Sequence, residues 1–270
     1  MSRQPVLHRK MRPARAFVVL GDHGLRAVDH QLEAVLHRDE VEDVHRLRVA
    51  IRHLRAVAWA FGPILGNHRK ARWKRTLCEM ADAAGPVRDW DVFLAETLAP
   101  ALEKQPDDPV LAALVATAQE RRSVARDEMM TSLSRYRQSP LPVLYRDLIH
   151  IASARSGSRL KTFAPRRIRK ARRRVRELAR VARDGQTDHV HQLRIGNKRL
   201  RYAIEALSDV LPRRYRKRLR KKLVRRQSEL GALIDGAVAR RLMAECLGCA
   251  AAAPQTPAEA PAAPRNDLRQ

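Results

Sequence analysis

The 270-residue chain is predicted to be all-α, and three observations predict it. Apolar residues recur at three- and four-residue spacing in segments of helical length. Prolines and glycines fall between those segments, and almost no alternating pattern of the kind strands need is present. A long internal repeat carries the helical spacing in both of its copies.

The expected element boundaries are Gly62-Pro63, Gly85-Pro86, Pro106 with Pro109, Pro140 with Pro142, Pro165, Gly185, Pro212 and Gly231. Residues of these types end helices or start turns, because proline lacks a backbone donor and glycine tolerates the left-handed region. The segment from Pro109 to His150 carries Val110, Leu111, Leu114, Val115 and Ala118 on one helical stripe and reads as structural. From Ala250 the sequence turns Ala/Pro-rich, so residues 251–270 are expected to form a disordered tail that cannot bury a core.

The repeat appears when HRLRVAIRHLR at 45–55 is set under HQLRIGNKRLR at 191–201, 146 residues later. At that offset Arg26 meets Arg172, Leu32 meets Leu178, Val44 meets Val190, Arg72 meets Arg218, Leu77 meets Leu223, Gly85 meets Gly231 and Asp89 meets Asp235. A period this long does not suit a short solenoid repeat. It predicts a duplicated helical bundle, with a first copy over about 15–150 and a second over about 160–250.

At about 100° per residue, His45, Arg48, Arg52 and Arg55 share a band roughly 80° wide. Leu47, Ile51, Leu54, Ala58 and Phe61 lie beside that band, so the helix can bury one face and offer the other. The second copy repeats the plan with His191, Arg194, Lys198 and Arg201 on the basic side, and with Leu193, Leu200, Ile204 and Leu207 on the apolar side. Arginines at such spacing are often solvated surface. Here the same residue types recur in both copies with few acids placed to neutralise them, and like charges one turn apart repel.

Each copy adds basic residues on its next helix: Arg72, Lys74 and Arg75 in the first, Arg218, Arg220 and Lys221 in the second. The helix opening the second copy carries ten basic residues between Arg166 and Arg183 against Glu177 alone. His45 and His191 begin the stripes, where a bound phosphate would raise an imidazole's proton affinity; packing or capping is the equal alternative. Asp89 and Asp235 are expected to begin helices and to cap them or orient an arginine rather than touch a ligand. Arg26 and Arg172 are assigned the same supporting role.

With 55 Lys+Arg against 29 Asp+Glu, the formal charge is +26, a field that attracts polyanions. Arginine dominance favours phosphate, whose oxygens accept from the guanidinium fork two at a time. Aromatic residues make up 4% of the chain, which disfavours a platform that stacks single-stranded bases. Of three cysteines, Cys246 and Cys249 form a lone CLGC without the second ligand pair of a structural zinc site, so no metal and no cofactor is expected. No apolar run is long enough to span a bilayer, and no signal peptide stands at the N-terminus; a cytoplasmic protein is the expectation.

The motifs V-H-x-L-R-V-x-x-R-x-L-R at 44–55 and G-x-x-R-D-x-D-V at 85–92 resemble the CHAD family, the conserved-histidine α-helical domain. V-H-x-L-R-I-x-x-K-R-L-R-Y-x-x-E at 190–205 and L-G-x-L-I-D at 230–235 are similar to that family's second half. The resemblance covers roughly residues 15–250. It implies two four-helix bundles with pseudo-twofold symmetry around a basic groove or channel, binding of inorganic polyphosphate, and association with polyphosphate granules and their proteins. Carried onto this chain, the family's basic positions fall on His45, Arg48, Arg52 and Arg55, and on His191, Arg194, Lys198 and Arg201. Asp91 has Ala237 opposite it, which confines any role for that acid to the first copy.

A non-enzymatic binding module is therefore expected. Nucleic acid is the competing polyanion. A phosphoryl-transfer enzyme using the motif histidines is the weaker alternative, because neither clustered carboxylates nor a Gly-rich phosphate loop is present.

Overall fold

A computed structural model describes residues 5–153, 158–213, 215 and 219–248; the side chains of 187, 220 and 226–235 lie outside that description, as does the tail. The described residues are helical, without strands. In chain order the helices are α1 (Pro13–His37), α2 (Val41–Ala60), α3 (Gly62–Ala83), α4 (Gly85–Phe93), α5 (Ala99–Lys104), α6 (Pro109–Gln138), α7 (Pro140–Ala152), α8 (Leu160–Val181), α9 (Thr187–Ala206) and α10 (Arg220–Cys246). A π-helical turn at Leu94–Leu98 joins α4 to α5.

Proline at the first or second position starts α1, α3, α4, α5, α6 and α7, where its missing N–H has no intrahelical partner to lose. Asp108 caps α6 by accepting from the N–H groups of Val110 at 2.8 Å and Leu111 at 3.3 Å. Gly66 breaks the first turn of α3 with φ 69°, a left-handed value that glycine adopts without strain.

Two expected boundaries are corrected. Gly231 lies inside α10. Its counterpart Gly85 is followed by Pro86, which starts a new helix, whereas Gly231 is followed by Ala232, and a helical glycine alone costs only about 1 kcal/mol. Pro165 lies inside α8, in its second turn, where Leu160, Ala164 and Ile168 are buried and hold the helix down.

α2 is the centre of the molecule, packed against α1, α3, α4 and α9. Leu47, Ile51, Leu54, Ala58 and Phe61, the predicted apolar side, are all buried. In the second copy Leu200, Ile204 and Leu207 are buried and Leu193 packs on the core. An aromatic chain runs through the interior: Phe17 and Trp73 at 5.2 Å between ring centroids, Phe17 and Phe61 at 5.7 Å, and Phe61 stacked on Phe163 of α8 at 5.4 Å.

The second half is tied to the first by polar bonds as well. Arg167 of α8 lies over the Trp59 ring at 4.5 Å and donates to the carbonyls of Ala60 at 2.9 Å and Trp59 at 2.6 Å, so a cation closes the C-terminal end of α2. The segment before α1 accepts from the N–H groups of Leu160 and Lys161 through the carbonyls of Met11 and Arg9.

α2 and α9 share both bounds at the repeat offset: 187 lies 146 after 41, and 206 lies 146 after 60. α8 likewise corresponds to α1. Beyond these, the first half holds α3–α7, and among the described residues the second half has α10 opposite them.

Candidate polyanion site

The basic residues of α2 stand where the helix turns away from its buried face. His45, Arg48, Arg52 and Arg55 are half-buried, and the packing of α3 and α4 restricts them. Arg48 donates from Nη1 to the carbonyl of Ala81 on α3 at 3.0 Å. Burial lowers its proton affinity, Asp89 opposes that, and Arg52 and Arg88 add repulsion. The Arg52 Nε is buried without a hydrogen-bond partner. Arg88 of α4 joins the group: after burial it is the main cause holding His45 below the ordinary imidazole value, ahead of Arg52 and Arg48.

The α9 stripe is more open. His191 is exposed, while Arg194, Lys198 and Arg201 are half-buried. Burial, then Arg194 and, less, Lys198, holds His191 below its ordinary value, with Asp188 opposing. Arg201 lies over the Tyr202 ring at 4.2 Å and approaches Glu205 at 3.5 Å, and its Nε is buried without a partner.

The two stripes meet where α2 packs on α9. His53 and Tyr202 touch edge to face at 4.8 Å. Burial lowers the His53 pKa, Glu205 opposes, and Arg52 from one stripe and Arg201 from the other both lower it further. Arg199 extends the meeting point: burial lowers its proton affinity and the Arg55 charge adds to that. Arg88 and Arg199 were not among the sequence candidates. Arg88 stands within the motif at 85–92, and Arg199 lies about 120° from the stripe centre, so only the packing of the two helices brings it in.

The remaining candidates are distributed unevenly. Lys74 and Arg75 are exposed on α3; Lys74 stands about 20° from Ala81, on the side that faces the stripes, and Arg75 about 120° from it. Arg72 turns away: its Nε donates to Asp147 Oδ2 of α7 at 3.1 Å, and its Nη2 bonds the same carboxylate. Lys221 is exposed on α10. Arg218 lies outside the described residues, as do the side chains of Arg220 and Asp235; the backbone of Asp235 lies well inside α10, so the expectation that it begins a helix is corrected.

Asp89 sits mid-helix in α4 rather than at its start and approaches Arg241 of α10 at 3.6 Å, so with Arg48 it balances arginines from two helices. Arg26 is exposed on α1 and pairs with Asp22 at 2.9 Å. Arg172 is exposed on α8. There the buried residues Leu160, Ala164, Ile168, Ala171 and Val175 form one stripe and leave most of the arginines facing solvent.

The support beneath α2 includes a buried acid. Asp91 is 3% exposed and accepts from Arg122 Nε at 2.7 Å, while Arg122 also reaches Asp39 at 3.1 Å. Burial raises the Asp91 pKa and Arg122 counters that.

Among the described residues no three His, Cys, Asp or Glu side chains form a metal-holding group, and no helix is long and apolar enough to cross a membrane. Cys78 and Cys246 are free and half-buried, and Cys249 lies outside the described residues.

A family model described as CHAD domain matches residues 20–244. No curated protein matches the chain significantly. Among solved structures, the chain is similar to the crystal structure of the CHAD domain from the plant Ricinus communis, with 25% identity and a TM-score of 0.78 over 92% of this chain and 83% of that one. It shares its fold with PptA from Streptomyces chartreusis, at 18% identity and a TM-score of 0.61 over 92% of this chain and 88% of that one.

Proposed function

Since the chain belongs to the CHAD family, we propose that it binds inorganic polyphosphate, through two basic stripes that act as one site. The observation that carries this reading is the convergence at the His53–Tyr202 contact. Cations of both copies crowd together there, with the Nε atoms of Arg52 and Arg201 buried and unpartnered. Such crowding is costly unless an anion relieves it. A chain of phosphates supplies evenly spaced oxygens for successive guanidinium forks.

The site proposed is His45, Arg48, Arg52, Arg55 and Arg88 from the first half, and His191, Arg194, Lys198, Arg199 and Arg201 from the second. Lys74, Arg75 and Lys221 border it. The two halves are taken as copies of one bundle. Asp89 keeps a supporting role by opposing the charge near Arg48.

The protein acts by binding and not by catalysis. In a cell it would sit in the cytoplasm on polyphosphate granules, where granule proteins are its neighbours.

Competition tests the ligand. Long-chain polyphosphate should displace RNA or DNA at equal phosphate concentration, and displacement of polyphosphate by nucleic acid would overturn the assignment. Release of orthophosphate from polyphosphate with divalent metal would overturn the non-enzymatic reading. Charge reversal at Arg48 and Arg194 should abolish granule localisation, and unchanged localisation would assign it to other contacts.

A further inference from the structure

Between the start of α3 and α7 lies a cleft of about 490 Å³, within the usual range for small-molecule sites. Arg72 lines it, and on α3 Arg72 points about 180° from Ala81, whose carbonyl receives Arg48. The cleft and the basic stripes therefore occupy opposite sides of α3. The cleft is repeated only in part: Arg72 has Arg218 at the repeat offset, but Tyr215 stands at the position corresponding to Arg69.

The charges in the cleft are unequal. Arg69, Arg72 and Arg146 face one carboxylate, Asp147. Asp147 is 3% exposed, accepts from Arg72 and from the Trp73 indole Nε1 at 3.1 Å, and forms an ion pair with Arg69 at 3.4 Å. That buried acid fixes the Arg72 guanidinium plane at the back of the cleft and holds Arg69 beside it by charge. Their N–H groups not aimed at Asp147 have no protein acceptor among the described residues. Arg146 is exposed at the opening and no acid pairs with it among the described residues. Leu65 and Val143 supply an apolar wall, and the break at Gly66 leaves open space at the mouth.

One guanidinium group fixed by two bonds, a second paired with the same acid, a third at the entrance and an apolar wall beside them suit a ligand with a doubly charged head and a less polar body. We propose that this cleft binds a terminal phosphoryl group carried by a small phosphate monoester of the nucleoside monophosphate class. The phosphoryl group contacts Arg69, Arg72 and Arg146, and the sugar and base lie along Leu65 and Val143. This site is independent of the polyphosphate reading.

The test is calorimetric titration of the full chain with AMP and, separately, with pyrophosphate, at low salt. Wild-type protein should bind AMP at one site. Arg146→Glu should weaken AMP by at least about tenfold, and Arg146→Gln should weaken it less. Both variants should melt like wild type, because Arg146 is exposed and unpaired. Changing Arg48, Arg52, Arg194 and Lys198 together to alanine should leave AMP binding unchanged. Three results would overturn the proposal: no AMP binding by the wild type, equal binding by Arg146→Glu, or loss of binding in the four-alanine protein. Pyrophosphate binding that Arg146→Glu weakens, without AMP binding, would overturn the monoester assignment and give the phosphoryl pocket an inorganic ligand.

Discussion

α2 and α9 have the same length and the same register of basic residues, yet they are held differently. In α2, Asp43, Val44, Leu47 and Ala50 are buried along the histidine end of the stripe, and Arg48 is fixed to the carbonyl of Ala81. In α9, no described residue from 188 to 196 is buried, and His191 is exposed. The buried anchors of α9 begin at Asn197. One stripe is thus a fixed edge of the core, and the other has fully buried anchors only over its second half, with Leu193 packed more loosely before them. For a polyanion site this separates two tasks: a preorganised edge loses little entropy on binding, while an open edge can follow the ligand.

The largest expected effect removes both edges. Changing Arg48, Arg52, Arg194 and Lys198 to alanine should weaken long-chain polyphosphate by on the order of 1,000-fold or more, since each charge-assisted bond contributes roughly 1.5–3 kcal/mol. Calorimetry measures it, with a melting curve to show that the protein stays folded.

A second prediction attacks the support of the fixed edge. Arg122→Ala leaves the buried Asp91 carboxylate without its partner and should cost about 3–5 kcal/mol in denaturant unfolding. A loss under 1 kcal/mol would mean that α4 and α6 do not need the pair.

Single changes sharpen the contrast. Arg48→Ala should lower stability by about 1 kcal/mol as well as affinity, because it deletes a half-buried bond to Ala81. Arg194→Ala should lower affinity alone. Equal stability losses would contradict the difference drawn between the two edges.

The pH dependence has a definite sign. His45 and His191 are held below the ordinary imidazole value by burial and by neighbouring cations, so both are neutral at pH 7 in the free protein. Bound phosphate stabilises the imidazolium, so the complex holds more protons than the free protein and affinity rises as pH falls through the histidine range. The fold responds in the opposite direction. A lowered folded-state pKa means that the unfolded chain binds more protons, so stability falls as pH drops through the unfolded value. Changing both histidines to glutamine should flatten the affinity profile between pH 5 and pH 7.

The smallest effect is in salt dependence. Arg52→Ala removes about one phosphate contact and should reduce the slope of log K against log salt by about 0.7.

The paired helices were legible in the sequence because helical spacing and the 146-residue offset are both local patterns. The buried side of α2 follows from them, and the offset carries the observed bounds of α2 onto α9. The fate of Arg72 was not legible: Asp147, which it grips, lies 75 positions away on a helix with no motif of its own. Arg199 was missed for a related reason, since it lies off its own stripe and joins the site only because Arg55 of α2 packs near it. Gly231 misled because glycine marks a boundary only with help, and the help at Gly85 is Pro86.

Whether the two stripes form one site is settled by titrating long-chain polyphosphate into three proteins: wild type, Arg48→Glu with Arg52→Glu, and Arg194→Glu with Lys198→Glu. One shared site predicts a single binding event in wild type, with either double reversal weakening that event as a whole. A double reversal that instead halves the phosphate bound per chain, and leaves the affinity of the rest unchanged, would contradict it.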